Sequence, residues 1–281
     1  MNYYSSLMLG ILLAASSLQA QPGDTIPYKQ VDSILLNLVV DYPPDFDPAR
    51  TYPAIVFFFG GGWNGGTTSH FEPHARYFSQ RGLVCFRADY RVKSRQGTTP
   101  FESLKDAKSA IRFIREHADE WGVDPQKIIA SGGSAGGQLA AATALCPSFD
   151  EGSDQRSYSC VPNALILFNP VMDNGPGGYG YERIGEAYTD FSPLHNIREG
   201  APPTILFLGT EDKLIPVETA AYYKLVMEQV GSRCDLHLYE GQGHGFFNYR
   251  QFEYYKTTLL EADRFLISLG YLTEDPEIAV E

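Results

Sequence analysis

The segment Gly132-Gly133-Ser134-Ala135-Gly136 sets one hydroxyl among glycines, between the β-branched run "KIIAS" and the small-residue run "GGQLAAATALC". A G-x-S-x-G pattern at a strand-to-helix turn is the context in which a serine is lifted clear of its neighbours as a nucleophile. Glycines there let adjacent backbones approach where a Cβ would clash. The segment lacks the lysine of a phosphate-binding loop and is not G-x-G-x-x-G, so a phosphate cradle is disfavoured. A serine hydroxyl is a weak nucleophile near neutral pH and needs a base, which in turn needs an orienting carboxylate. The expected chain order is serine, acid, histidine, each on a loop after a strand. "TILFLGTEDKLIP" ends a strand-like run at Glu211-Asp212, and "LHLYEGQGHGFFN" ends the next with His244 between two glycines. Asp212 is the preferred acid and Asp173, after "LFNPVM", the reserve. The chemistry this points to is acyl transfer through Ser134, His244 and Asp212.

Such chemistry needs amides aimed at a developing oxyanion, and losing one donor typically costs about 2.7–4 kcal/mol of barrier. The second glycine cluster, "FFFGGGWNGG" from Phe57 to Gly66, follows an early apolar strand and can present bare amides. Gly61 and Gly62, with Ala135, are expected to supply three donors. The other histidines have weaker claims. His70 and His74 flank Pro73, which argues for a helix start and not a ligand pair. His117 reads as an exposed helix residue, His237 as a strand residue, and His195 as a capping or surface residue near the site. No Cys/His spacing suggests a zinc site, and neither a metal nor an organic cofactor is implied.

These residues need a scaffold, and the chain alternates apolar strand runs with helical periodicity. "SILLNLVVDYP", "YPAIVFFF", "LVCFRADYR", "QKIIASGG", "NALILF", "PTILFLG" and "CDLHLY" read as strands. "FESLKDAKSAIRFIREHADEWG", "VETAAYYKLVMEQVG" and "FEYYKTTLLEADRFLISLG" read as helices. Alternation of this kind predicts an α/β fold, a mostly parallel sheet of about eight strands covered by helices on both faces. Continuously apolar strands suit its centre. The one long irregular segment, 171–203, is expected to wall a pocket.

The 281 residues carry a net charge of −12, which argues against nucleic acid or an anionic membrane as partner. Residues 1–20 hold an apolar core, Leu7 to Ala15, then a small-residue end at Ala20. The pattern predicts a signal peptide over 1–20, one catalytic domain over 21–281, and a secreted or periplasmic location without stable membrane association. Cys146 and Cys160 flank a polar loop, and export makes a loop-closing disulfide between them a reasonable expectation.

With "FGGGW", "DYR", "DPQKIIASGGSAGG", "LFNPV", "SPLHNI", "PPTILFLGTEDKLIP" and "GQGHGFFN" in view, the chain resembles the α/β-hydrolase esterases. The likeness is to the branch related to hormone-sensitive lipase, and nearer still to compact secreted carbohydrate esterases of the feruloyl and acetyl-xylan type. It implies a serine carboxylesterase acting on acetyl or feruloyl esters of polysaccharide, or on small soluble esters. The family's oxyanion motif usually begins with histidine; here Phe59 stands there. With few residues before the first strand, no large cap is expected. Trp63 and Tyr90, with the tyrosines of "GGYGYERIGEAY", are candidate substrate-binding rings for sugar stacking. A serine peptidase of the same fold and a non-catalytic carbohydrate-binding protein are the alternative readings. The acyl group, the sugar and the oligomeric state stay open at this level.

Overall fold

The computed structural model describes residues 23–273; the expected leader, residues 1–20, lies outside them. Eight strands form one sheet: β1 (Asp24–Val31), β2 (Ile34–Asp41), β3 (Tyr52–Phe58), β4 (Val84–Ala88), β5 (Val123–Gly133), β6 (Ala164–Phe168), β7 (Thr204–Gly209) and β8 (Cys234–Tyr239). Their order is β1-β2-β4-β3-β5-β6-β7-β8. β2 runs antiparallel to both its neighbours, and every other pairing is parallel. This is the mostly parallel sheet expected from the strand and helix alternation, and the α/β-hydrolase fold that the resemblance implies.

β1 has no counterpart in the strand runs named above. "DTIPYKQV" mixes proline with polar residues and reads poorly as a strand. It survives because it is an edge, where a proline's missing N–H costs no central ladder bond. The register shifts between Pro27 and Lys29, as at a bulge.

Helices α1 (Glu72–Gln80), α2 (Lys93–Gln96), α3 (Pro100–Glu116), α4 (Ala135–Leu145), α5 (Tyr181–Ile184), α6 (Tyr188–Phe191), α7 (Val217–Gln229) and α8 (Phe252–Ser268) complete the chain. Inside β3, Val56 and Phe58 face α3, α4 and α7, while Ile55 and Phe57 face α1 and α8. Period-two alternation thus splits an unbroken apolar run between two cores, as a sheet covered on both faces requires. α3 starts at a capping box, Thr99 with Glu102, and with Pro100 in its first turn.

The polar loop after α4 is tied down by charge. Arg112 bonds Asp150 and Asp154 at 2.6 and 2.8 Å, and Lys29 pairs with Glu151 at 3.0 Å. The disulfide expectation is corrected here: Cys146 and Cys160 are both free thiols. Their sulfurs turn to different carbonyls, Cys146 to Phe191 and Cys160 to Thr143. Ion pairs close the loop instead of a covalent bond.

Candidate active site

Five loops at the carboxyl ends of adjacent strands meet at one cavity of about 310 Å3. It is lined by Gly60, Gly61 and Gly62 after β3, Ser134 after β5, Asn169 after β6, and Leu214 beyond β7. His244, Gly245, Phe247 and Asn248 come from beyond β8, and Tyr179 from the long segment. Ligand sites in open α/β sheets form at this end because the loops there converge.

Ser134 is the single residue between β5 and α4, at φ 55° and ψ −121°. Backbone held in such a region costs on the order of 1–3 kcal/mol and persists only where surroundings enforce it. Here they do. A Cβ on Gly136 would fall 2.0 Å from the Phe58 carbonyl oxygen, and one on Gly132 would fall 2.4 Å from Gly136 backbone. The glycines are required because the turn is pressed against the end of β3.

His244 Nε2 lies 2.9 Å from Ser134 Oγ, and His244 Nδ1 lies 2.7 Å from Asp212 Oδ2. Asp212 is already an acceptor: its Oδ1 takes the amides of Leu214 and Ile215 at 2.8 and 3.1 Å. That turn fixes the carboxylate, whose side chain is fully buried, in one orientation. With Nδ1–H donated to Asp212, the Nε2 lone pair is the one that faces the serine. A lone pair at this distance can take the hydroxyl proton as oxygen attacks. Among the described residues, the amides of Gly61, Gly62 and Ala135 donate to no protein acceptor. Ala135 opens α4, where helix geometry leaves the first amides without a partner.

Other expected site residues lie elsewhere. Trp63 and Tyr90 are a correction: they are 1% and 0% exposed, so neither ring can stack on a sugar. Tyr90 packs flat on Phe59 at 4.0 Å and donates its hydroxyl to the Phe59 carbonyl. Trp63 sits against Phe191 and under the Arg183 guanidinium, 5.1 Å from its ring. Asp173, the reserve acid, accepts the Gly175 amide and faces His195 at 3.8 Å, away from His244. Glu211 contributes its backbone, whose amide bonds Gln242.

The residue reading missed His70, Asn169 and Asn248. Asn169 is fully buried; its Oδ1 accepts the Gly245 amide at 2.9 Å, which turns its Nδ2 toward His244 Nε2 at 3.4 Å. His70 Nδ1 accepts the Gly60 amide at 3.0 Å and His70 Nε2 meets Asn248 Oδ1 at 2.6 Å. Burial holds the His70 imidazole below its ordinary pKa, with the Asn248 bond opposing. A signal existed for Asn169, which like the serine directly follows a strand. None existed for His70. Among the described residues, no cluster of His, Cys, Asp and Glu is arranged to hold a metal ion, and no helix is long and apolar enough to cross a membrane.

Known proteins share this fold and much of its sequence. The chain is 44% identical to the propionate-bound esterase 2 of the planctomycete Thermogutta terrifontis, covering 90% of this chain and 97% of that one at a TM-score of 0.86. It therefore belongs to the α/β-hydrolase esterases, in the branch related to hormone-sensitive lipase. The same esterase phosphonylated by sarin superposes at a TM-score of 0.87, with 43% identity over 90% of this chain and 97% of that one. Two family models match in succession: BD-FAE over residues 40–173 and the dienelactone hydrolase family over 179–264. The first spans the glycine loop and Ser134, the second Asp212 and His244. An acetylxylan esterase of Xylanibacter ruminicola is 27% identical over 95% of this chain and 55% of its own length. The chain spans about half the length of the curated relatives it matches.

Proposed function

We propose that this protein is a serine carboxylesterase that cleaves esters of short acyl groups by a two-step acyl-enzyme route. The observation that carries the reading is the Asp212–His244–Ser134 hydrogen-bonded chain at the mouth of the cavity. Ser134 Oγ attacks the ester carbonyl carbon while its proton passes to His244 Nε2. Asp212 holds the resulting imidazolium through Nδ1–H. The carbonyl oxygen gains charge and is met by the amides of Gly61, Gly62 and Ala135. The C–O bond to the alcohol breaks, and Nε2–H gives its proton to the leaving alkoxide. Water, deprotonated by the same nitrogen, then attacks the acyl-serine, releases the acid and returns the proton to Ser134.

The acyl preference rests on size. The cavity is walled by Tyr179, Leu214 and Phe247, and its volume suits an acetyl to butyryl group better than a long chain. The structural relatives carrying propionate and butyrate agree with this. For the alcohol we propose an acetylated or feruloylated polysaccharide, supported by the acetylxylan esterase relative. Export follows from the 1–20 pattern, and is tested by N-terminal sequencing of the mature protein, expected to begin at Gln21.

The test is hydrolysis of p-nitrophenyl acetate, butyrate and octanoate, and acetate release from acetylated xylan, by wild type and Ser134→Ala. Acetate and butyrate should turn over well and octanoate at least about tenfold more slowly, with all turnover lost in the variant. Turnover surviving in Ser134→Ala would overturn the mechanism. Peptide-amide hydrolysis exceeding ester hydrolysis would replace it with the peptidase reading.

A further inference from the structure

We propose that His70 and Asn248 form a strut that sets the glycine loop in register with the His244 loop, making His70 a positioning residue for ester hydrolysis. The proposal rests on the reading above, because it concerns the amides of that loop.

The Phe59–Gly60 peptide is gripped at both ends. Its carbonyl accepts the Tyr90 hydroxyl at 2.5 Å, and its N–H donates to His70 Nδ1 at 3.0 Å. A peptide unit is planar, so holding oxygen and hydrogen on opposite edges stops the plane from rotating. Gly61 and Gly62 follow at φ 131° and 61° and have no side chains to steady them. Their amides inherit the direction of that plane.

The strut then reaches the base. Since Nδ1 accepts from Gly60, the ring proton is on Nε2, and it donates to Asn248 Oδ1 at 2.6 Å. Asn248 Nδ2 donates to the Gly245 carbonyl at 2.7 Å, and the Gly245 amide donates to Asn169 Oδ1 at 2.9 Å. An unbroken run of bonds thus joins Gly60 to the residue beside His244. Phe59 occupies the position where the family motif usually has histidine, and His70, eleven residues on, supplies an imidazole to the loop from the other side. The ring is seated against Phe71 and Phe247 at 4.7 and 5.8 Å.

The polarity of this run has a consequence. Protonation at Nδ1 sets an N–H against the Gly60 N–H and breaks the grip. The titratable group facing His70 from α1 is His74; the glycine loop offers none, and the loop after β8 offers neutral Asn248 beside His244, which lines the same cavity. Burial favours neutral His70, so the grip holds above its lowered pKa and is lost as pH falls through it.

The experiment compares kcat and KM for p-nitrophenyl acetate, and the pH dependence of kcat/KM, in wild type, Ser134→Ala, His70→Leu and His70→Asn. Asparagine keeps an acceptor near Nδ1 and cannot be protonated. His70→Leu should lower kcat about tenfold to a hundredfold with KM within about twofold, and His70→Asn should recover most of it. Equal kcat in wild type and His70→Leu, or no recovery in His70→Asn, would overturn the strut. Should His70→Leu fail to fold, Asn248→Asp decides. Its carboxylate should move the acid limb of kcat/KM up by about one pH unit, and the shift should vanish when His70→Asn is added. A shift that persists there acts on His244 and overturns the proposal. Turnover surviving in Ser134→Ala would instead remove the serine mechanism itself.

Discussion

Ser134 is strained, and the strain is held by two glycines with no room for a methyl group. Gly136→Ala sets a Cβ 2.0 Å from the Phe58 carbonyl oxygen, backbone that cannot step aside. The variant should lose several kcal/mol of stability or fail to fold, as read by urea unfolding. Asn169 offers a gentler probe. Its amide faces the unprotonated His244 Nε2, a contact compatible with the neutral base. In Asn169→Asp a carboxylate faces the same nitrogen and favours the imidazolium. The charged ring cannot take the Ser134 proton, so kcat/KM for p-nitrophenyl acetate near neutral pH should fall about tenfold. An unchanged kcat/KM would mean that Asn169 serves the Gly245 backbone alone.

At the scale of elements, the segment after β4 links the core to the site. Arg91 grips Asp106 of α3 with two bonds at 2.8 Å, and Lys29 of β1 reaches the same carboxylate at 2.7 Å. Asp106 is fully buried, so Asp106→Leu leaves two cations sharing only the partly exposed Glu151, at 3.0 and 3.5 Å, and should cost about 3 kcal/mol in denaturant unfolding. Tyr90 stands next to Arg91, so residual activity per folded molecule should fall as well. α1 carries the opposite case. His74 is fully buried among Phe71, Phe168 and Tyr255, and neither ring nitrogen has a hydrogen-bond partner. Burial, with a smaller push from His70, lowers its pKa from 6.5 to about 3. The unfolded chain therefore takes up this proton first as pH falls. Stability present above about pH 6.5 drains away toward pH 3, on the order of a few kcal/mol over the window. His74→Phe should unfold with a visibly flatter pH dependence below 6.5 in a series of thermal melts.

Across the whole molecule, a net charge of −12 surrounds a site whose lining carries no lysine or arginine. Esters bearing a carboxylate should be turned over more slowly than neutral ones at low ionic strength. Raising salt from about 10 mM to 150 mM shortens the Debye length from about 30 to 8 Å and should close part of that gap. A gap insensitive to salt would locate the discrimination in direct contacts within the cavity. The 171–203 segment matters at the same scale. Arg183 donates to the Gly62 carbonyl and stacks over Trp63 and Tyr179, so one wall of the cavity also braces the glycine loop.

Local pattern was enough for the elements and for the reacting groups. Period-two and helical periodicity, a serine between glycines at a strand end, and a histidine after the last strand are relations among near neighbours, and the sequence alone determined them. The hairpin strand β1 escaped because its proline and polar residues are tolerated only at a sheet edge, and an edge is a property of the assembled sheet. The sequence already prefers Asp212 over Asp173 and Glu211; the bond that carboxylate makes to His244 across 32 residues is a tertiary contact. Trp63 and Tyr90 look like ligand rings in a list of residues; tertiary packing turned both inward. His70 and Asn248 lie 178 residues apart and meet because the loops after β3 and after β8 converge on one cavity at the carboxyl end of the sheet. Spacing along the chain carries no record of that distance, and so the support of the site was decided by the fold.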